Sequence, residues 1–445
     1  MVFFGTSGIR ELCPEILDSK FAFFFAQNIA AFKKNFVLGY DGRPTGQMLI
    51  NACIAGILQQ GRDVYNVGLC PSPTLANYSK KLNTIGIMIT ASHNPLCYNG
   101  IKIFENGKEF DKEKEKRLQY ILERKTTKKP VEWNKVGKIF FAENDAKISH
   151  VALLEKIFDV DHIKQRQPRI LLDCANLSCS KFAVDLFKRY VFVLEKNCTP
   201  FTIPDRGIEP NQENLQKLSQ EIKNLDIDFA IAYDGDGDRA VVLDENGELI
   251  GLDVQLAIAI DYLLEKTKAK AVVSTVESSL LIKDVVKKHN AKLFLTPVGS
   301  RHVAIKMKQT NAVFGGEPCG EYIFKNGVGS PDGLATSLLF AEIFSKKESL
   351  RVLKKNYKTY PIKRLKISCE KNQKFIFMKK LEKIWPFNSK IKIDGLMARE
   401  DWGWILIRPS GTENFIRITA EAYNQKDLDQ NIKKLEEIVN GLTDS

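Results

Sequence analysis

The sequence predicts an α/β protein of several domains that ends in a small α+β domain, and three observations carry that expectation. Its 445 residues exceed what one compact core organises, so three or four domains are expected. Branched apolar runs of strand length alternate with segments of helical period: FVLGYD at 36–41, IGIMIT at 85–90, RILLDCA at 169–175, DFAIAYD at 228–234 and AVVSTV at 271–276. That alternation is the pattern of repeated α/β units. After about Lys354 it gives way to short strands in YPIKRLKISC, KIKIDGL, WGWILIRPS and FIRITAEAY, followed by one helix, DLDQNIKKLEEIVNGL.

Taken in order, FAFFFAQNIAAF at 21–32 is interrupted by Gln27 and Asn28 and is too short to span a bilayer, so it predicts a core helix. LNTIGIMI at 82–89 predicts a buried strand, ended by the turn in TASHNPLCYNGIK at 90–102. A lysine-rich connection near 125–148 marks the end of a first domain, and a fresh apolar period near Gly251 marks the start of a third. The expected domains are therefore residues 1–148, 149–250, 251–354 and 355–445.

Composition narrows the function classes. Hydrophobic content of 44% with 27% charged residues describes a soluble globular chain. No basic leader with a small-residue cleavage site is present, so a cytoplasmic protein with no membrane partner is expected. Nine cysteines without a C-x-x-C pair and five scattered histidines fit neither a disulfide framework nor a zinc site. The formal charge of +12 suits small anions, nucleic acid or acidic surfaces alike. The densest basic stretch, ERKTTKKPVEWNKVGK at 123–138, lacks the aromatic interleaving of a base-stacking surface; a solvated face is expected there, and no nucleic-acid partner.

Five short stretches carry candidate chemistry. Ser92 lies where a strand ends, the place where open α/β sheets bind ligands, although a serine there also serves as an ordinary helix N-cap. DGDGDR at 234–239 sets Asp234, Asp236 and Asp238 at alternate positions separated by glycines, a set of hard oxygen donors suited to Mg²⁺. An EF-hand is excluded because Arg239 stands at the sixth position of the loop and Glu245 at the twelfth is followed by the turn Asn246-Gly247. RPSGTEN at 408–414 offers Arg408, Ser410, Gly411 and Thr412: a forked donor, short hydroxyls and accessible backbone N–H groups, as a phosphate requires. FGTSGIR at 4–10, ending in Arg10, and GGEPCGEY at 315–322, with Glu317, are glycine-rich loops that function or plain tight turns would explain equally.

Together these motifs resemble the α-D-phosphohexomutase family, which includes phosphoglucomutase/phosphomannomutase and phosphoglucosamine mutase. GTSGIR, TASHNP with NGIK, DGDGDR, GGEPCGE and RPSGTEN occur in the family's order along the whole chain, as do TPVGSRHV at 296–303 and SPDGL at 330–334. The resemblance implies three similar α/β domains and a smaller α+β C-terminal domain around a central cleft. It implies exchange of hexose 1-phosphate and hexose 6-phosphate, with a hexose 1,6-bisphosphate as intermediate and activator. Ser92 would carry the phosphoryl group and bind Mg²⁺ together with Asp234, Asp236 and Asp238. Arg10, His93 and Lys102 would surround it, with Arg239 beside them. Glu317 and Cys319 would belong to the sugar loop, and Arg408, Ser410, Gly411 and Thr412 would grip the non-reacting phosphate. The sugar loop departs from the common G-E-x-S-G-H, with Cys319 for serine and Glu321 for histidine, and Leu177 stands in DCANLSCS where N-G is common. The phosphate loop with Pro409 looks more like the phosphomannomutase and archaeal-type branches than the bacterial phosphoglucosamine mutases, and GGEPCGEYIF and TPVGSRHV look closer to archaeal-type phosphoglucosamine mutases. The partner expected is a phosphosugar, the assembly a monomer or homodimer, and the alternative reaction a Mg²⁺-dependent sugar-phosphate phosphatase.

Overall fold

The structure, a computed structural model, describes residues 4–5, 7–347, 349–370, 372–409 and 414–443. The chain divides into two compact units, Met1–Gly251 with Cys319–Lys354, and Leu252–Pro318 with Lys355–Ser445.

The first unit holds a seven-stranded sheet whose main order is Ile9–Leu12, Tyr98–Glu105, Ile85–Ile89, Asn35–Tyr40, Asp63–Leu69 and Ile139–Phe141, with Lys108–Glu109 paired to Tyr98–Glu105. Its centre is parallel: Phe36, Val37 and Leu38 face Ile85, Gly86 and Ile87 on one side and Val64, Tyr65 and Asn66 on the other. Every residue of Ile85–Ile89 is buried, which accounts for its unbroken apolar sequence. The expected core helix is Ser19–Ile29, started by Asp18, whose carboxylate accepts the Phe21 N–H. Phe25, Ala26 and Ile29 pack from it into the sheet's core. A second sheet of the same unit runs Ala240–Asp244, Phe229–Tyr233, Arg169–Asp173, Phe192–Lys196. Its first two strands form an antiparallel hairpin in which Tyr233 faces Ala240, so residues 234–239 are the hairpin's loop.

In the second unit Ala271–Thr275 lies parallel to both Lys292–Thr296 and Phe314–Gly316. The C-terminal sheet is antiparallel, in the order Ile362–Ser368, Phe415–Ala422, Gly403–Pro409, Leu396–Glu400. Its inner face, including Ile405, Ile407, Ile416 and Ile418, forms one core with Leu381 of helix Lys374–Lys383 and Leu428, Ile432 and Leu435 of helix Gln425–Thr443. KIKIDGL is not the strand its alternation predicts. Only Ile391 bridges to Met397; Asp394 and Gly395 take positive φ of 55° and 128°, and the strand begins at Leu396. Gly395 is required there, since a Cβ would stand 2.2 Å from the Ile407 carbonyl oxygen. Among the described residues no helix is long and apolar enough to cross a membrane.

Candidate active site

Ser92 lies three residues beyond the strand Ile85–Ile89, at its carboxyl end, with a left-handed φ of 51° that a residue bearing a Cβ adopts only under constraint. The constraint is a buried arginine. Arg43 donates to the carbonyls of Ser92 and Asn94 at 2.7 Å each through Nη2, and to those of Pro95 and Tyr98 at 2.7 and 2.9 Å through Nη1. Its Nε donates to Asp41 at 3.0 Å, and both side chains are fully buried. Asp41 accepts from Thr90 Oγ1 at 2.6 Å, and Thr90 Oγ1 in turn accepts from the Ser92 N–H at 2.8 Å. Burial pushes the Asp41 carboxyl up, and the Arg43 charge opposes that shift.

The Ser92 hydroxyl donates to Asp234 Oδ2 at 3.0 Å and lies 3.3 Å from His93 Nδ1. The three aspartates are buried, with carboxylate oxygens within 4.8 Å of one another. Asp234 Oδ1 accepts the backbone N–H groups of Gly237 and Arg239, which curls the loop back on itself. Two glycines make the approach feasible. A Cβ on Gly235 would stand 2.3 Å from the Ser92 carbonyl oxygen, and one on Gly237 would stand 2.5 Å from Cys179 Sγ. Ser72 fixes the loop from the side, donating its hydroxyl to Asp236 Oδ2 at 2.6 Å and its N–H to the Asp236 carbonyl at 2.8 Å.

Lys102, on strand Tyr98–Glu105, reaches Asp238 Oδ2 at 2.6 Å and Asp236 Oδ2 at 3.3 Å. Burial works against its charge, but Asp236 and Asp238 outweigh it and hold the ammonium well above its ordinary range. Lys102, with Arg239 and Arg10 further off, does not neutralise three carboxylates. Burial and then the charges of Asp238 and Asp236 push Asp234 well up, and burial with Asp236 pushes Asp238 to about 6 even with Lys102 at 2.6 Å. Asp236, although buried, is held low, chiefly by Lys102 and the Ser72 hydrogen bond. Two buried oxygens, Asp236 Oδ1 and Asp238 Oδ1, meet no hydrogen-bond donor among the described residues. Buried carboxylate oxygens without partners cost more than about 1–3 kcal/mol each, and a hard divalent cation is the group their chemistry suits. The cluster therefore fits Mg²⁺.

Cationic groups gather around Ser92. Arg10 donates to Asn94 Oδ1 at 3.1 Å, and His93 is pushed down to about 3 by burial and then by the charges of Arg239 and Arg10. Arg239 donates through Nε and Nη2 to Glu321 Oε1 at 2.9 and 2.7 Å. Cys319, half-buried, stands two residues before Glu321.

The first unit thus brings together Ser92, His93, Arg10, Lys102, the three aspartates and Arg239. In the second unit Glu317 is buried, follows strand Phe314–Gly316, and accepts the Gly299 N–H at 3.0 Å, joining GGEPCGE to TPVGSRHV. Arg408 ends a strand of the C-terminal sheet and pairs with Glu277 at 3.0 Å and Asp394 at 3.2 Å. Ser410, Gly411 and Thr412, expected to act with Arg408, lie outside the described residues.

Several residues that hold this site escaped the sequence reading. Arg43 and Asp41 stood in plain view in LGYDGR, but their partners lie about fifty residues away. Arg206 is another: its guanidinium meets Asp173 at 2.9 Å and donates to the Tyr233 carbonyl at 2.7 Å, immediately before Asp234. His150 is fully buried between Thr74 Oγ1 and Asp332 Oδ2, each at 2.9 Å. Asp332 caps the helix Gly333–Lys346, and the Gly333 N–H donates to the Gly237 carbonyl in the aspartate loop. This gives SPDGL a structural task that its sequence alone did not show.

Known proteins share both sequence and fold with the chain. Four family models match in succession: phosphoglucomutase/phosphomannomutase α/β/α domain I over residues 1–129, domain II over 149–247, domain III over 252–360, and the C-terminal domain over 365–438. The phosphoglucosamine mutase of Methanococcus aeolicus is 36% identical over 445 residues, covering 95% of this chain and 95% of its own. That of Methanocaldococcus jannaschii is 35% identical over 468 residues, covering 99% of each. A solved structure of a phosphoglucomutase/phosphomannomutase family protein from Burkholderia thailandensis, 21% identical, superposes with a TM-score of 0.87 over 100% of this chain and 98% of its own. The chain belongs to the phosphoglucomutase/phosphomannomutase family and is a phosphohexose mutase, an isomerase.

Proposed function

We propose that the protein interconverts glucosamine 1-phosphate and glucosamine 6-phosphate through a phosphoryl group carried on Ser92. The observation that carries the mechanism is the placement of Ser92 Oγ, 3.0 Å from Asp234 and beside a buried carboxylate cluster that fits Mg²⁺. The choice of sugar is supported by relatives named phosphoglucosamine mutase that align along nearly the whole chain.

In the first half-reaction a sugar hydroxyl oxygen attacks the phosphorus on Ser92; the new O–P bond forms as the Ser92 Oγ–P bond breaks, giving a hexosamine 1,6-bisphosphate. The hydroxyl proton leaves to a base at the site as the new bond forms; His93, with Nδ1 at 3.3 Å from Ser92 Oγ but held neutral by burial and the charges of Arg239 and Arg10, would serve as a hydrogen-bond partner for that oxygen. The bisphosphate then turns end for end, Ser92 Oγ takes the other phosphoryl group, and the released hydroxyl recovers a proton. Asp234, Asp236 and Asp238 would hold Mg²⁺, which when bound supplies a positive charge against the phosphoryl oxygens. Arg10, Lys102 and Arg239 add fixed positive charge to the same pocket. Arg43 keeps the serine in its constrained conformation, so no reorganisation is needed when the phosphoryl group moves. Glu317 would hold sugar hydroxyls, while Arg408 with Ser410, Gly411 and Thr412 would grip the phosphate that is not reacting.

The test is to incubate the protein with a ³²P-labelled hexose 1,6-bisphosphate and map the labelled peptide. Label on the peptide containing Ser92, lost on adding unlabelled glucosamine 1-phosphate and absent from Ser92→Ala, is the expected result. A labelled peptide elsewhere, or Ser92→Ala with full turnover, would refute the assignment.

A further inference from the structure

One charged side chain beside this site has no task in moving a phosphoryl group. Glu321 is tied to the aspartate loop by backbone as well as side chain: it forms a β-bridge with Arg239, and the preceding Gly320 carbonyl accepts the Ala240 N–H at 3.4 Å. Its Oε1 takes both Arg239 N–H groups, at 2.9 and 2.7 Å, while no donor is bonded to Oε2 among the described residues. The side chain is 13% exposed, so a ligand can reach it. It is also close enough to Asp238 for its charge to be felt there. It is a fourth carboxylate beside the three of the aspartate loop, and although Arg239 balances its charge at Oε1, the open Oε2 favours a ligand that brings a cation along with its phosphate.

An amino sugar brings one. In glucosamine the ammonium sits on C2, next to the C1 oxygen, so whenever O1 is presented to Ser92 the ammonium lies on the carbon adjacent to the reacting end. Building on the glucosamine phosphate reading above, we infer that Glu321 selects hexosamine phosphates by pairing its Oε2 with the C2 ammonium, while Arg239 holds Oε1 and fixes the carboxylate's direction. Glucose phosphate, with a hydroxyl at C2, and N-acetylglucosamine phosphate, with a neutral amide, would lack that ion pair.

The experiment compares kcat/KM for glucosamine 1-phosphate, N-acetylglucosamine 1-phosphate and glucose 1-phosphate in the wild type and in Glu321→Gln. Glutamine keeps a carbonyl oxygen for Arg239 and removes only the charge. The variant is expected to lose about tenfold or more in kcat/KM for glucosamine 1-phosphate relative to glucose 1-phosphate, the scale of one charge-assisted hydrogen bond. The preference over N-acetylglucosamine 1-phosphate should shrink with it. Equal losses on all three sugars would overturn the inference and leave Glu321 as a brace for Arg239, and unchanged ratios would overturn it as well. A wild type that turns over glucose 1-phosphate but not glucosamine 1-phosphate would instead refute the substrate reading on which it rests.

Discussion

At the scale of single residues, the site depends on one buried arginine as much as on the serine it serves. Replacing Arg43 with methionine would strand the buried Asp41 charge and free four loop carbonyls at once. The expected cost is about 3–5 kcal/mol of stability, read as a lower urea midpoint. In Arg43→Lys, which folds more readily but cannot span the carbonyls, kcat should fall about 100-fold, as expected for a misplaced nucleophile. Wild-type kcat in the lysine variant would show that the loop holds its conformation without the fork. Asp236→Asn should abolish turnover and weaken Mg²⁺ binding measured by calorimetry; undiminished Mg²⁺ affinity would remove Asp236 from the ligand set. Ser92 and the aspartates were legible because their chemistry is written in adjacent letters. Arg43 and Ser72 were not, since Ser72 finds Asp236 across 164 residues and a buried arginine looks like any other until its acceptors are placed.

At the scale of elements, the second unit is joined by a buried carboxylate that no motif announced. Glu421, on strand Phe415–Ala422, accepts the Ser279 hydroxyl at 2.5 Å, the Leu280 N–H at 2.7 Å and the Trp404 indole N–H at 2.8 Å. It thereby ties the start of helix Leu280–Lys288 to the C-terminal sheet, where the dipole of the helix favours a negative charge. Asp253 sits close by, accepting the Ser279 N–H at 3.2 Å, and is pushed up to about 6 by burial and then by the Glu421 charge. The folded state therefore holds the Asp253 proton more tightly than the unfolded chain, whose carboxyl titrates near 3.9. Ionised Asp253 lowers stability above pH 6; as pH falls from 6 toward about 4 this penalty disappears. Asp253→Asn should be more stable than the wild type at pH 8 by about 1–2 kcal/mol, the side chain being only half-buried, and equal to it below pH 4. A constant difference between the two proteins from pH 4 to 8 would contradict the assignment. In this unit AVVSTV, YPIKRLKISC, WGWILIRPS and FIRITAEAY match the strands Ala271–Thr275, Ile362–Ser368, Gly403–Pro409 and Phe415–Ala422, whereas Lys292–Thr296, Phe314–Gly316 and Leu396–Glu400 were not foreseen and KIKIDGL is not a strand. There the positive φ of Asp394 and Gly395 interrupts a period that the letters alone continue.

At the scale of the whole molecule, five ordered motifs resemble one family, and both fold and family bear that resemblance out. What the letters withheld was the three-dimensional bookkeeping of polar groups: which aspartate oxygens are used, which are spare, and which arginine serves the serine. If the spare oxygens serve Mg²⁺, then stripping the protein with EDTA should stop turnover, and added Mg²⁺ should restore it. Full activity in EDTA would require the three carboxylates to be neutralised by protein groups alone. The most direct measurement follows ³¹P NMR of the wild type with Mg²⁺, a trace of glucosamine 1,6-bisphosphate and an excess of glucosamine 1-phosphate. A glucosamine 6-phosphate resonance is expected to grow at the expense of the 1-phosphate without release of inorganic phosphate. Inorganic phosphate as the sole new resonance would contradict it, because the Ser92 phosphoryl group would then be passing to water instead of to the sugar.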